Sequence, residues 1–328
     1  MNAPRLFTIT LNPAIDQTVR LDRLLPGEVH RALGEQTEAG GKGIGVAAVL
    51  AALGRPVTAS GWLGADNDAV FRAAFAERGI TDGMLRLPGA TRTNIKLAVA
   101  ERGDSTDINL PGLALAPEAL QAAEQQLGER LDAAVAPGDW CELAGSLPPG
   151  TDAGLWERLA RRLAARGAQI VIDTGGAVLG TLLARLSDPA RGPVVPVAFI
   201  KPNRAELEEL VARPLHDTLA VADAAQALCQ AHGVRQIVVS LGGQGAVMAD
   251  GQGRWQAAAP AVTVATTVGA GDALVAGTLA ALMDGQPLPG AGVFGMACAA
   301  ARIQRIAPGL PPRQEVTELA ARIRATPI

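Results

Sequence analysis

Between the β-branched run Val262-Thr263-Val264 and the apolar stretch from Leu274 to Met283, the chain reads Gly269-Ala270-Gly271-Asp272. Taken as strand, glycine turn and helix start, this segment aims backbone N–H groups at one point and sets a carboxylate beside them. Free N–H groups at a helix N-terminus attract anions, and glycines let a phosphate approach the backbone closely. A carboxylate there would repel a resident phosphate. It makes sense where a phosphoryl group is in transit and Asp272 takes the proton of the attacking hydroxyl. The chain has 38 glycines, however, and aspartate is an ordinary first-turn residue that complements the helix dipole. On these four residues alone both readings stand.

Other segments carry compatible chemistry. Gly40-Gly41-Lys42-Gly43 precedes an Ala/Val/Leu helix, and Lys42 could hold an anionic group as a point charge. It is not a Walker A loop, because Gly43 stands where Ser or Thr is required. Gly43, Gly45 and Ala48 match a dinucleotide-binding fingerprint, with Asp66 further on, but Gly34 to Glu38 makes a poor buried strand to precede it. In Thr91-Arg92-Thr93-Asn94-Ile95-Lys96, Arg92 is either a phosphate fork or a solvated strand charge. Asp16, after Asn12-Pro13, is a turn residue or an acceptor for sugar hydroxyls. Asn203 reads as a helix cap with Glu206 as its capping-box partner, or as a polar group at a strand end. Ser240-Leu241-Gly242-Gly243-Gln244-Gly245 reads as a hairpin turn or a ligand loop.

These segments need a scaffold that gathers them. Expected strands are 6–11, 57–62, 140–144, 170–173, 198–201 and 237–241. Expected helices lie near 43–53, 68–78, 117–133, 152–166, 204–212, 219–232, 270–283, 290–303 and 313–325. Such alternation predicts an α/β fold: a mostly parallel sheet with helices on both faces. Ligands in such sheets bind beyond the carboxyl ends of the strands, where several of the motifs fall. Residues 16–39 and 91–110 break the rhythm as polar, partly alternating strands, and are expected to pair into a small sheet that covers a site or docks on another subunit.

Composition narrows the function further. The net charge is −3 without a dense basic block, and there are five Phe, four Trp and no Tyr. Nucleic-acid binding is not expected. Cys141, Cys229 and Cys298 are dispersed, fit neither a disulfide framework nor a zinc site, and suit a reducing compartment. The run from Leu6 to Leu11 is too short for a signal peptide or membrane span, so a soluble, cytoplasmic protein is expected.

Together the motifs resemble the ribokinase-like (PfkB) sugar-kinase family, and within it the branch acting on fructose 1-phosphate and tagatose 6-phosphate. The residues that carry the likeness are Thr10-Leu11-Asn12-Pro13-Ala14-Ile15-Asp16, Gly27-Glu28-Val29, Gly41-Lys42-Gly43-Ile44, Thr91-Arg92-Thr93-Asn94, Gly145-Ser146-Leu147-Pro148-Pro149-Gly150, Lys201-Pro202-Asn203-Arg204, Ser240-Leu241-Gly242 and Gly269-Ala270-Gly271-Asp272. They follow the family's order along nearly the whole chain.

The resemblance implies one kinase domain over 1–328, a three-layer α/β/α sandwich with a β-lid from 16–39 and 91–110. It implies ATP and Mg²⁺, and phosphorylation of a sugar phosphate, with fructose 1-phosphate to fructose 1,6-bisphosphate as the first reading and a tagatose-6-phosphate kinase or 6-phosphofructokinase of the same family as the alternative. Asp272 would be the base, and Gly269, Ala270 and Gly271 the anion hole. Asp16, Gly41, Lys42, Arg92, Asn94 and Ser146 would hold the sugar phosphate. Lys201, Asn203, Glu206, Ser240, Gly242 and Gly245 would hold the nucleotide, with Glu206 reaching Mg²⁺ through water. A homodimer through the lid is also implied. Three positions depart from the pattern: Gly45 where the family has an asparagine that touches the sugar, Gly175 where it has serine, and Ala273 after the aspartate. A non-catalytic sugar-phosphate binder is the alternative of another class.

Overall fold

Ile170, Val171 and Ile172 are all fully buried, because a strand covered by helices on both faces is apolar on both. That continuous burial recurs across a central sheet in the computed structural model, which describes residues 4–101, 104–305 and 309–328. The first third of the chain contains β1 (Leu6–Thr10), β2 (Ala14–Leu21), β3 (Gly34–Gly40), α1 (Lys42–Ala52), β4 (Val57–Gly64), α2 (Ala69–Arg78), β5 (Thr81–Leu87), β6 (Arg92–Val99) and β7 (Asp104–Asn109). The middle contains α3 (Pro117–Ala134), β8 (Trp140–Ala144), α4 (Ala153–Ala165), β9 (Gln169–Asp173), α5 (Gly176–Ser187), β10 (Val197–Ile200), α6 (Arg204–Val211), α7 (Thr218–His232) and β11 (Gln236–Ser240). The remainder is β12 (Ala246–Asp250), β13 (Arg254–Ala257), α8 (Ala270–Met283), α9 (Leu288–Ile303), α10 (Arg313–Ala320) and β14 (Thr326–Pro327).

The central sheet runs β14-β13-β12-β11-β10-β9-β8-β1-β4-β5, parallel from β5 to β11 and antiparallel beyond. From β1 the chain builds outward to β4 and β5, then returns to place β8 on the other side of β1. That reversal opens a crevice at the carboxyl ends of β1 and β8. Side chains alternate between two cores. Phe7, Ile9, Ile170 and Ile172 face the layer of α3 to α7, whereas Leu6, Val171 and Phe199 face α1, α2, α8, α9 and α10.

The two irregular segments form a separate four-stranded sheet, β3-β2-β6-β7, as their polar alternation predicts. Parallel pairing of β2 with β6 sets Ala14 opposite Arg92 and Asp16 opposite Asn94. Residues 102–103 of the second segment lie outside the described residues.

All six expected central strands and all nine expected helices are present, with ends shifted by a few residues. One expectation fails. Val262-Thr263-Val264 is not a strand; the irregular stretch before α8 instead docks on the end of α9, where Ala265 N–H donates to Ile303 O (2.8 Å). β-branched residues favour strands only where an edge and a packing surface are offered. Unforeseen are α5, β5 and the antiparallel β12–β14 edge. The signal for α5 was in its core face, Leu179, Leu182, Leu183 and Leu186, at helical spacing.

Candidate active site

At the start of α8, Gly269 adopts φ 77°, a left-handed conformation that favours glycine. The turn carries the chain straight into the helix, with Asp272 in its first turn. Ala270 N–H makes a long contact to Thr267 O (3.4 Å), while the Gly271 and Asp272 N–H groups have no carbonyl partner among the described residues. Lys201, buried at the end of β10, brings its Nζ to 3.8 Å from where a Gly271 Cβ would lie. An anion there meets two free N–H groups, a helix dipole and an ammonium.

The Asp272 side chain makes no hydrogen bond or ion pair within the described chain. Burial, with the Asp173 carboxylate nearby, pushes its pKa up to about 7 even though Lys42 and Lys201 pull the other way. A carboxyl group with that pKa is about half ionised at pH 7, and its ionised form is a strong proton acceptor there. Its carboxylate rests against α1 at Gly45, where any Cβ would overlap Asp272 Oδ2. The departure at Gly45 therefore does more than delete an amide: it makes the room in which this carboxylate sits.

Helix α1 supplies the cation. Gly41 caps it at φ 118°, ψ 142°, a conformation other residues rarely adopt, and directs Lys42 into the crevice. Lys42 Nζ donates to Asp173 Oδ1 (3.0 Å) at the end of β9. Burial disfavours the Lys42 charge, but Asp173 and more distant Glu206 and Asp272 overcome it and raise its pKa. Thr174 Oγ1 donates to Gly145 O (2.9 Å), tying the loops after β8 and β9 together beside Lys42.

The small sheet β3-β2-β6-β7 forms the opposite wall. Asn94 Nδ2 donates to Asp16 Oδ1 (3.0 Å), and burial raises the Asp16 pKa. Arg92 donates to the carbonyls of Pro13 (3.3 Å), Leu110 (3.0 Å) and Asn12 (3.0 Å), and its Nη2 lies 3.5 Å from Ser146 Oγ. Arg92 thus fastens the small sheet to the loop after β1. A guanidinium has five donors; with the Ser146 contact four are engaged, so one on Nη1 remains for a ligand anion. Asn12 Nδ2 also donates to Ser146 Oγ (3.1 Å). A cavity of about 720 Å³ runs from Lys42 and Ser146 to Gly175 and Glu206.

The third group sits at the ends of β10 and β11. Asn203 caps α6 and forms a capping box with Glu206: each side chain accepts from the other's backbone N–H, at 2.9 and 2.8 Å. Ser240 N–H donates to Pro202 O (3.0 Å), which joins the two strand ends. After a 3₁₀ turn, Gly242–Gln244, Gly245 adopts φ 105° where a Cβ would overlap Ala257 O. The loop is also the β11–β12 hairpin connection.

No group of three or more His, Cys, Asp or Glu residues able to hold a metal occurs among the described residues. Mg²⁺ fits nonetheless. It is commonly bound by one or two carboxylates together with waters and substrate phosphates. Only Glu206 Oε2 is spent in the capping box; Oε1 lies beside Gly175, on the cavity wall.

Arg302 was not foreseen. On α9, its Nε lies 3.2 Å from where a Gly269 Cβ would be, so a guanidinium backs the anion-attracting turn, and burial lowers its pKa. A lone arginine at the end of an apolar helix carries no sequence signal of this role.

A family model described as "pfkB family carbohydrate kinase" matches residues 9–314. The chain belongs to that family. Among PfkB relatives, it is 46% identical over 278 residues to a 1-phosphofructokinase of Xanthomonas campestris pv. campestris, covering 85% of this chain and 84% of that one. It is 39% identical over 316 residues to the 1-phosphofructokinase of Rhodobacter capsulatus, covering 96% of each. The PfkB fold here also resembles phosphofructokinase-2 from Escherichia coli in complex with fructose-6-phosphate, at TM-score 0.86 and 27% identity, over 97% of this chain and 99% of that one.

Proposed function

We propose that this PfkB kinase transfers the γ-phosphoryl group of ATP to the free primary hydroxyl of fructose 1-phosphate, giving fructose 1,6-bisphosphate and ADP. The observation that carries the reaction type is a titratable Asp272 set beside the free N–H groups of α8 and Lys201. The relatives named 1-phosphofructokinase direct the choice of sugar.

In this mechanism the sugar lies between the lid and α1. Asp16, Asn94 and the Gly41 backbone orient its hydroxyls. Lys42, Ser146 and the one spare Nη1 donor of Arg92 hold the phosphate it already bears. The nucleotide lies across Asn203, Ser240, Gly242 and Gly245, with Lys201 over its terminal phosphate.

As the sugar oxygen bonds to γ-phosphorus, its proton passes to Asp272 and the bond to the β-phosphate bridging oxygen breaks, releasing ADP. The transition state is loose, so positioning and charge stabilisation dominate, and N–H groups of the 269–272 turn with Lys201 meet the charge on the transferring group. Mg²⁺, with Glu206 accepting from its water shell, would supply charge neutralisation at the ATP phosphates. The lid excludes water and so limits ATP hydrolysis.

We further propose that the chain works in the cytoplasm as a homodimer joined through the lid. The lid segments expose Val29, Leu33, Ile108 and Leu110, an apolar set of the kind that marks an interface. No helix among the described residues is long and apolar enough to cross a membrane.

A second acceptor has its own support, since the Escherichia coli neighbour is in complex with fructose-6-phosphate. Furanose fructose carries a primary CH₂O group at each end, so the span from phosphate to hydroxyl is alike in the two isomers. ADP release measured with fructose 1-phosphate, fructose 6-phosphate and tagatose 6-phosphate separates them. The highest kcat/KM is expected for fructose 1-phosphate. Equal or higher kcat/KM on another sugar overturns that assignment, and binding without turnover on all three overturns the kinase reading.

A further inference from the structure

Glu142 is the one carboxylate in the buried middle of the parallel strands that the mechanism leaves unused. It is completely inaccessible, and neither of its oxygens has a hydrogen-bond partner. On β8 it stands opposite Thr8 of β1 and Val171 of β9. Ala144, two residues on, stands opposite Asp173. Because side chains alternate along a strand, Glu142, Asp173, Thr8 and Thr10 share the face covered by α1 and α8. A diagonal step of this kind lies within reach of long side chains.

Asp173 Oδ2, Thr8 Oγ1 and Thr10 Oγ1 are also buried and without partners. Over them lies Gly43 of α1, whose absent side chain lets the helix backbone come down on Thr8, Thr10 and Ala144. So many orphaned oxygens on one face of a native sheet call for a shared resident.

We infer that Glu142 is a neutral acid that donates its proton through an internal water to Asp173 Oδ2, with Thr8 and Thr10 completing the water's shell, and that it thereby positions the Lys42–Asp173 pair. Asp173 Oδ1 already takes Lys42, so a donor on Oδ2 fixes the carboxylate from its other side. The charged groups around Glu142 are Asp173 on β9, Asp272 on α8, Lys42 on α1 and Lys201 just past β10. Burial, then the two aspartates, drive its pKa well above the ordinary carboxylate range. An ionised Glu142 would be a third negative charge in that group, with no cation paired to it.

The inference deepens the kinase reading and rests on it for its kinetic arm only; the spectroscopic arm needs no turnover. Infrared difference spectra of wild type minus Glu142→Gln at pH 8 are expected to contain the C=O stretch of a protonated carboxylic acid, and its absence overturns the neutral state. Glu142→Leu removes the donor. Its kcat/KM for the sugar phosphate is expected to fall about tenfold, the worth of a hydrogen bond to a charged group. Glu142→Gln keeps a donor and is expected to recover most of that loss. A leucine variant as active as wild type, or a glutamine variant as impaired as leucine, overturns the positioning role. If the leucine variant does not fold, the acid limb of kcat in Glu142→Gln decides. It is expected to stay at the wild-type pH, and a displacement of about one unit, the mark of a lost charge, overturns the inference.

Discussion

Replacing Asp272 with asparagine should make the enzyme worse and the protein more stable, in a way that pH controls. The pKa of Asp272 rises from 3.8 to about 7 on folding. About three units at ~1.4 kcal/mol each gives ~4 kcal/mol against the ionised fold, an upper bound. Asp272 is half-buried, and solvent screening reduces this to about 1–2 kcal/mol. A raised carboxylate pKa means that the folded state binds more protons. Its stabilising contribution is therefore complete below pH 3.8 and lost as pH climbs through about 7.

Asp272→Asn escapes that loss. Its melting temperature should exceed wild type by roughly 1.5–3 °C at pH 8, by less at pH 5, and by nothing near pH 3.5. Turnover should fall by about 10²–10⁴, the usual worth of a positioned base, while sugar-phosphate affinity by calorimetry stays within about threefold. Wild-type kcat should drop tenfold per unit below about pH 7, and that acid limb should vanish in the variant. A kcat loss under tenfold, or a stability difference that does not change with pH, refutes the assignment.

Three further substitutions test separate parts of the site. Gly45→Ala puts a Cβ where Asp272 Oδ2 lies and displaces that carboxylate, so on the proposed mechanism kcat should fall at least about tenfold with KM little changed; steady-state kinetics checks this. Gly271→Ala meets only ordinary contacts, 3.8 Å from Lys201 Nζ. Its thermal stability should match wild type or better, while the methyl bars phosphate from the free N–H groups and cuts kcat by about 10²-fold. Glu206→Gln keeps the shape of the capping box but weakens the acceptor. It should cost at most about 1 kcal/mol of stability and raise the Mg²⁺ concentration needed for half-maximal rate, read from a metal titration at saturating ATP.

Much of this site was legible because its parts are local. Continuous apolar runs such as Ile170-Val171-Ile172 announce buried parallel strands, and glycine-rich segments after them mark where strands end. Contacts between distant residues were not legible. Lys42 and Asp173 are 131 positions apart, and nothing local pairs them. Arg92 reads from its neighbours as a phosphate fork or a solvated strand charge, yet three of its donors hold the carbonyls of Asn12, Pro13 and Leu110. Gly45 reads as a lost sugar contact until α1 and α8 are packed, when it becomes the place against which the Asp272 carboxylate rests. Val262-Thr263-Val264 has strand propensity but no edge to join, and propensity yields to context.

The most direct test is to follow wild type and Asp272→Asn by ³¹P NMR with ATP, Mg²⁺ and fructose 1-phosphate. In wild type, one new sugar phosphomonoester should appear for each ADP formed, with the original ester retained and almost no inorganic phosphate. Asp272→Asn should bind both substrates and form that ester at least about 10²-fold more slowly. ADP accompanied only by inorganic phosphate, or bisphosphate formed by Asp272→Asn at the wild-type rate, would contradict transfer to a hydroxyl deprotonated by Asp272.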